Sequence, residues 1–273
     1  MISPKRRQEI IDALRRGTVP QNSLDAFAVG LDGFEGALDD ELDKVATGGG
    51  VFKAVRGEYG CGKTFFSRWL ADRARKRGFA TAEVQVSETE TPLHRLETVY
   101  RRLMERLSTA DTPQGAWRNI VDGWFYALEE DVLAEGTVAN DDEEALIART
   151  SELLEQRLTT AEGILGWLAG QPNVASAAKR YCGVKGDIDH FGALSFLQGV
   201  LVVLRDSGHP GLLLILAEVE TIQRVRSDVR DKSLNALRQL IDEVDAGRFP
   251  GLYLLITGTP AFFEGPQGIQ RLE

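Results

Sequence analysis

The spacing of apolar positions changes several times along this chain, and each change predicts an element. Between residues 5 and 16 charged and apolar positions alternate, with Ile10, Ile11 and Leu14 at helical spacing, and Gly17-Thr18-Val19-Pro20 ends the pattern. A second helix is predicted after Leu31-Asp32-Gly33, with Phe34, Leu38, Leu42 and Val45 on one face. Val51-Phe52-Lys53-Ala54-Val55 then reads as a short strand, Phe65-Phe66-Ser67-Arg68-Trp69-Leu70 opens a helix running to about Arg77, and Thr81-Ala82-Glu83-Val84-Gln85-Val86 alternates like a second strand.

About 125 residues follow before the next clear strand, far more than a simple crossover needs. Their periodicity is helical. Leu93, Leu96, Val99, Tyr100, Leu103 and Leu107 form one series, Trp117, Val121, Trp124, Phe125 and Leu128 another, and similar patterns cover 142–168 and 189–205. Trp117, Trp124 and Trp167 are expected to pack inside this insertion rather than form a partner surface. Asn140-Asp141-Asp142-Glu143-Glu144 reads as a helix cap with an acidic first turn, not as a metal site.

Gly211-Leu212-Leu213-Leu214-Ile215-Leu216 is a continuous apolar run behind a Pro-Gly turn, as expected of a central parallel strand buried on both faces. Leu252-Tyr253-Leu254-Leu255-Ile256 is the next strand. Between them Leu240-Ile241-Asp242-Glu243 imitates a magnesium-binding strand. Leu234, Leu237, Leu240, Ile241 and Val244 nevertheless keep 3.6-residue spacing, so Asp242 and Glu243 are predicted to be exposed on a helix. The expected class is α/β with a parallel central sheet and a large helical insertion between strands 2 and 3. The chain divides into a helical prelude (1–50), the first part of a core (51–90), the insertion (91–208) and the second part of the core (209–273).

Composition narrows the function classes. With 273 residues, of which 43% are hydrophobic, the chain can bury one core or one core with an insertion. A net charge of −9 excludes a protein that coats nucleic acid with its whole surface, although contacts to a DNA backbone stay open. Arg68, Arg73, Arg75, Lys76 and Arg77 cluster on one predicted helix and read as a solvated face. Cys61 and Cys182 have no metal-ligand or disulfide spacing, as in a reducing compartment. The N-terminus lacks the apolar stretch of a signal peptide and no segment approaches 18 uninterrupted apolar residues, so a cytoplasmic protein without membrane contact is expected.

The candidate chemistry lies between the first strand and the helix after it. Gly57-Glu58-Tyr59-Gly60-Cys61-Gly62-Lys63-Thr64 matches G-x-x-x-x-G-K-[ST], the Walker A form of a phosphate-binding loop, in the strand-to-helix setting that the motif requires. Its glycines let backbone N–H groups curl around phosphates and the helix N-terminus adds positive potential. Lys63 is suited to the β- and γ-oxygens, and the Thr64 hydroxyl to magnesium. With Phe65 as first residue of the helix, residues 57–65 are the expected nucleotide-binding set, for ATP with Mg2+. Cys61 occupies a variable position of the loop, where packing is the default role and redox sensing the alternative.

The apolar strand 211–216 should carry its carboxyl end to this loop. There Ala217-Glu218-Val219-Glu220 stands where a magnesium-binding strand usually ends in Asp-Glu. Glu218 fits the base that orients the attacking water and stands behind the metal, while the aspartate that should steady the metal is replaced by Ala217. Ala217 reads either as native, in a weak or regulatory nucleotide binder, or as an introduced change that traps bound ATP. Thr257 and Thr259, at the end of the last strand, are the candidates for a polar side chain beside the γ-phosphate. Arg224, Arg226 and Arg230 are either exposed or salt-bridged arginines, or one of them is an arginine finger reaching a neighbouring subunit. Val19 and Pro20 are either ordinary loop residues or contacts to the adenine base.

The phosphate loop, the strand carrying Glu218 and the threonine at the following strand's end resemble the additional-strand-glutamate branch of P-loop ATPases, and its AAA+ group. The 57–64 loop, Glu218-Val219-Glu220-Thr221, Asn235-Ala236-Leu237-Arg238 and Ile256-Thr257-Gly258-Thr259-Pro260 are similar to the ATP-binding proteins of bacterial BREX phage-defence systems, relatives of origin-recognition ATPases. The resemblance spans nearly the whole chain. It implies an ATPase that drives or regulates assembly of a defence complex, with other defence proteins, DNA or a second copy of itself as partners. The alternative is an ATP-dependent switch or DNA-associated module with little hydrolysis. A small-molecule kinase needs an acceptor-site base that the sequence does not offer. AAA+ sheets have the order 5-1-4-3-2, and this chain supplies strands near 51, 81, 212 and 252. The fifth strand and the helical lid are therefore expected to be missing, with Leu272-Glu273 read as a cloning remnant and the edge of strand 1 left open for association.

Overall fold

The computed structural model describes residues 3–19, 24, 28–124, 161–181 and 183–272. Helices α1 (Pro4–Arg15) and α2 (Asp32–Ala46) precede strand β1 (Val51–Arg56), helix α3 (Lys63–Lys76), strand β2 (Ala80–Gln85) and helix α4 (Leu96–Arg106). Helical stretches at 117–124 and 161–168 are followed by α5 (Ser176–Tyr181) and α6 (His190–Asp206). Strand β3 (Leu212–Ala217), a 3-10 helix at Val219–Arg224, α7 (Ser227–Asp245), β4 (Leu252–Gly258), the short α8 (Pro260–Glu264) and a last 3-10 turn at Ile269–Leu272 complete the described chain.

The four strands form one parallel sheet in the order β1-β4-β3-β2. Side chains alternate across a strand, so the two apolar runs divide their residues between the faces. Leu212, Leu214, Leu216, Leu252, Leu254 and Ile256 belong to one core with α4, α6 and α7. Leu213, Ile215, Tyr253 and Leu255 belong to the other, with α2 and α3. The sheet is thus covered on both faces, as uninterrupted apolar strands require.

The helical predictions hold with local exceptions. Leu38, Leu42 and Val45 of α2 are buried, but Phe34 is exposed in the first turn of the helix, and in α1 Leu14 is exposed while Ala13 is buried. Asp242 is exposed as expected. Glu243 is not, because it folds against Arg248 in a two-pronged ion pair. The basic face of α3 is not simply solvated either: Arg68 pairs with Glu83, Arg73 with Glu35 and Asp39, Arg75 and Lys76 with Asp72, and Arg77 with Asp39 and Asp43. The pairs of Arg73 and Arg77 fasten α2 to α3, while Arg68 ties α3 to β2 and the Asp72 pairs lie within α3. The hydrogen bonds that Arg73 and then Arg77 donate hold the Asp39 carboxyl below its usual range.

Within residues 91–208 the aromatic side chains hold the segment together. Tyr100 of α4 donates its hydroxyl to Leu168 O at 2.6 Å, and Phe196 of α6 meets Trp167 edge-on at 5.1 Å. Trp117 is buried, and the Trp124 indole reaches Asp206 at 3.2 Å. Residues 91–208 are not purely helical. Ser108 exchanges backbone hydrogen bonds with Thr81, at 2.8 and 2.9 Å, and this bridge covers part of the β2 edge. Phe125, Leu128, Cys182 and the acidic run 140–144 lie outside the described residues, as does Pro20.

Candidate functional site

Because the strands are parallel, their carboxyl ends share one rim, and the segments leaving β1, β3 and β4 meet there. The Gly57 N–H donates to Gly258 O at 3.1 Å, which continues the β1–β4 pairing by one rung and fixes where the loop departs. A Cβ on Gly57 would stand 2.2 Å from the Cys61 Sγ, so a larger residue there would have to displace that thiol. Cys61 packs its thiol across that residue while remaining largely exposed. Gly60 and Gly62 have φ of 80° and 97°, the left-handed region that lets the backbone curl.

Helix α3 begins at Gly62 without a side-chain cap. Among the described residues the first-turn N–H groups of Lys63, Thr64 and Phe65 have no backbone partner. Open N–H groups at a helix N-terminus behind a left-handed glycine turn form an anion cradle. Phe65 packs its ring on the α2–α3 core and so contributes its amide rather than its side chain. Lys63 folds back over the loop: its Nζ donates to Gly57 O at 2.7 Å and Glu58 O at 3.1 Å and lies 5.3 Å from the centre of the Tyr59 ring. Tyr59 is exposed, and its hydroxyl accepts from Arg224 Nη2 at 3.3 Å. The contacts to Glu58 O and Tyr59 are exposed and that to Gly57 O is half-buried, and a phosphate oxygen would compete for the ammonium with a full charge.

At the end of β3, Ala217 is the last paired residue, opposite Gln85. Glu218 adopts φ 59° and ψ 44°, a left-handed conformation that costs a non-glycine residue about 1–2 kcal/mol. Its N–H donates to Thr257 Oγ1 at 3.3 Å, and its Oε2 accepts from Gln85 Nε2 at 3.0 Å. The carboxylate is therefore exposed and aimed by β2, while its backbone is tied to β4. Thr257 and Thr259 are both buried, but they differ in contact: Thr257 touches Glu218, and Thr259 stands at the N-cap of α8 without a side-chain capping bond.

One residue at this rim has no role in the sequence reading. Glu220, in the first turn of the 3-10 helix, is 4% exposed, and neither carboxyl oxygen has a hydrogen-bond partner among the described residues. Burial pushes its carboxyl up from the usual range, and the Glu218 charge adds to that; its own amide, Lys63 and Arg224 act the other way. The signal available in sequence was a second acid three residues beyond an apolar strand, which spacing alone does not separate from a surface glutamate. Of the three arginines considered, Arg224 reaches Tyr59, Arg226 pairs with Asp228 at 2.8 Å, and Arg230 is buried with its Nη1 on Gln267 Oε1 at 2.8 Å.

Among the described residues no group of three acidic, histidine or cysteine side chains is placed to hold a metal by itself. Magnesium needs no such cage, since it is carried by one or two carboxylates together with the phosphates of its nucleotide. The exposed Thr64 hydroxyl and the unpartnered Glu220 oxygens are hard oxygen donors at the same rim, so the donor set fits an ion that arrives with a nucleotide.

A family model described as BREX system ATP-binding protein BrxC/D matches residues 2–164 and 159–273, the whole chain apart from its first residue. The chain belongs to that family. As a BREX ATP-binding protein it has a nucleotide in its family description. No curated protein matches the chain. No helix among the described residues is long and apolar enough to cross a membrane.

Proposed function

We propose that this BrxC/D-family chain binds ATP with magnesium at the sheet rim, hydrolyses it, and uses the nucleotide state to govern assembly of a phage-defence complex. The observation that carries the reading is the convergence of the 57–64 loop, Glu218 and Thr257 on one rim, with Gly57 and Glu218 both tied to the end of β4. The order β1-β4-β3-β2 supports the AAA+ assignment, since it is the four-strand part of 5-1-4-3-2. In this reading residues 1–50 are a prelude, 51–90 and 209–273 are the two halves of the core, and 91–208 is an insertion.

The loop amides and Lys63 hold the β- and γ-phosphates, exchanging the contacts to Gly57 O and Glu58 O for phosphate oxygens. Bound with the nucleotide through Thr64, magnesium would neutralise charge on the transferring phosphoryl group. Glu218, held by Gln85, orients the attacking water and accepts its proton. Thr257 accepts from the Glu218 amide, so a change at the γ-phosphate that moves either group moves both. An arginine finger from Arg224 or Arg226 would make the working unit a homo-oligomer; the buried bond of Arg230 to Gln267 weighs against that residue.

A second reading, an ATP-dependent switch that scarcely turns over, is favoured by Ala217, which leaves β3 without its terminal carboxylate. Phosphate release separates the two. The hydrolytic reading expects Glu218→Gln to lower turnover on the order of 100-fold while ATP still binds, and phosphate release above background from the parent chain or from Ala217→Asp. Background release from both the parent chain and Ala217→Asp would remove the hydrolytic reading and leave the switch.

A further inference from the structure

Strand β3 ends at Ala217 without a carboxylate, yet two residues beyond Glu218 the chain buries one. Glu220 is 4% exposed with both oxygens unpartnered, while Glu218 is exposed and already bonded to Gln85. A buried carboxyl without partners is rare enough in folded proteins to need an explanation, and an ion or water absent from the protein itself is one of the few available. Its turn is anchored on three sides. Val219 packs so closely on Gly258 that a Cβ there would meet Val219 Cγ2 at 3.0 Å. Thr221 donates its hydroxyl to Val86 O at 3.1 Å, and Arg224 reaches Tyr59 of the phosphate loop. The charges acting on Glu220 are those of Lys63, Glu218 and Arg224, all residues of this rim.

We propose that Glu220 supplies the carboxylate for the divalent cation that accompanies ATP, replacing the aspartate that Ala217 lacks. This rests on the reading of the rim as an ATP site. The left-handed Glu218 is what turns the chain so that an acid in the following turn, instead of the strand's last residue, is buried beside the loop. The assignment also divides two acids by environment: the exposed one faces water and can handle a proton, and the buried one keeps both oxygens open to a cation. A carboxylate that serves the ion should matter only when the ion is present.

The test is a calorimetric titration of ATP into the whole chain, with EDTA and with magnesium, alongside paramagnetic resonance of Mn2+ in the ATP complex. Glu220→Gln keeps the side-chain size. Without a divalent ion it should bind ATP as the parent chain does or more tightly. The gain in affinity conferred by magnesium should fall about 10- to 100-fold, the range for losing a group that supports a metal, and the bound Mn2+ spectrum should change. Adding Ala217→Asp to Glu220→Gln should restore the gain. Glu220→Asp, which keeps the charge but draws it back by one methylene, should give an intermediate loss and covers the case in which glutamine at 220 prevents folding. An undiminished magnesium gain in Glu220→Gln overturns the proposal, as does ATP binding by the parent chain that magnesium does not strengthen. No ATP binding by the folded parent chain under either condition overturns the site itself, which distinguishes failure of that reading from failure of this one.

Discussion

The interior of the sheet and its carboxyl rim are adjacent in sequence and follow different rules. Leu212–Leu216 and Leu252–Ile256 are almost completely buried, extended and paired on both sides, and every apolar residue there serves one of two cores. Two residues past Leu216, Glu218 is left-handed and exposed, and four past it, Glu220 is buried without a partner. Stability is spread over many exchangeable apolar contacts in the interior. At the rim a few residues hold conformations and charges that the fold alone would not choose, and such costs concentrate where a ligand is bound.

Substitutions on either side of that boundary should therefore separate binding from stability. The largest expected effect on binding is that of Lys63→Ala, which should lower ATP affinity at least about 100-fold while leaving the thermal midpoint within a degree or two; calorimetry and a melting curve read the two separately. The interior counterpart is Leu214→Ala. Its full burial predicts a loss of about 2–5 kcal/mol in urea unfolding, with ATP affinity unchanged under conditions where the protein remains folded. A large affinity loss in folded Leu214→Ala would erase the distinction.

Glu218→Gly should move the two properties in opposite directions. Relief of the left-handed backbone predicts a gain of up to about 1 kcal/mol in unfolding free energy, while phosphate release falls to background. A destabilised Glu218→Gly would mean that the bond to Gln85 outweighs the strain.

The smallest effect belongs to the ion pairs between α2 and α3, far from the rim. Asp39 has a depressed folded pKa, so its contribution is present above its unfolded value near ~3.9 and is lost as pH falls through the lower folded value. Asp39→Asn should flatten that acid limb in melting curves between pH 5 and 2 and, as a partly exposed pair, cost less than about 1 kcal/mol at pH 7. An unchanged acid limb would assign it to other carboxylates.

Sequence legibility followed the same boundary. The apolar runs at 212–216 and 252–256 could only be buried parallel strands, and the 3.6-residue spacing of Leu234, Leu237, Leu240 and Val244 correctly removed Asp242 from the site. The loop 57–64 was legible as a glycine turn between strand and helix, and the structure has that turn. Pairings across long sequence distances were not: that Gln85 holds Glu218, or that Thr257 accepts its amide, depends on register between strands about 40 to 130 residues apart. Glu220 was illegible for a further reason. Its burial follows from the backbone reversal at Glu218, and glutamate is not a residue whose presence announces positive φ. Phe34 and Leu14 erred the other way, since periodicity gives a helix face but not how far the core extends along it.

The most direct measurement of the central claim is calorimetric titration of ATP with magnesium into the purified chain, with Lys63→Ala beside it. The account predicts saturable one-to-one binding by the parent chain and none detectable in the variant. Equal binding by both proteins, or none by a folded parent chain, would contradict it.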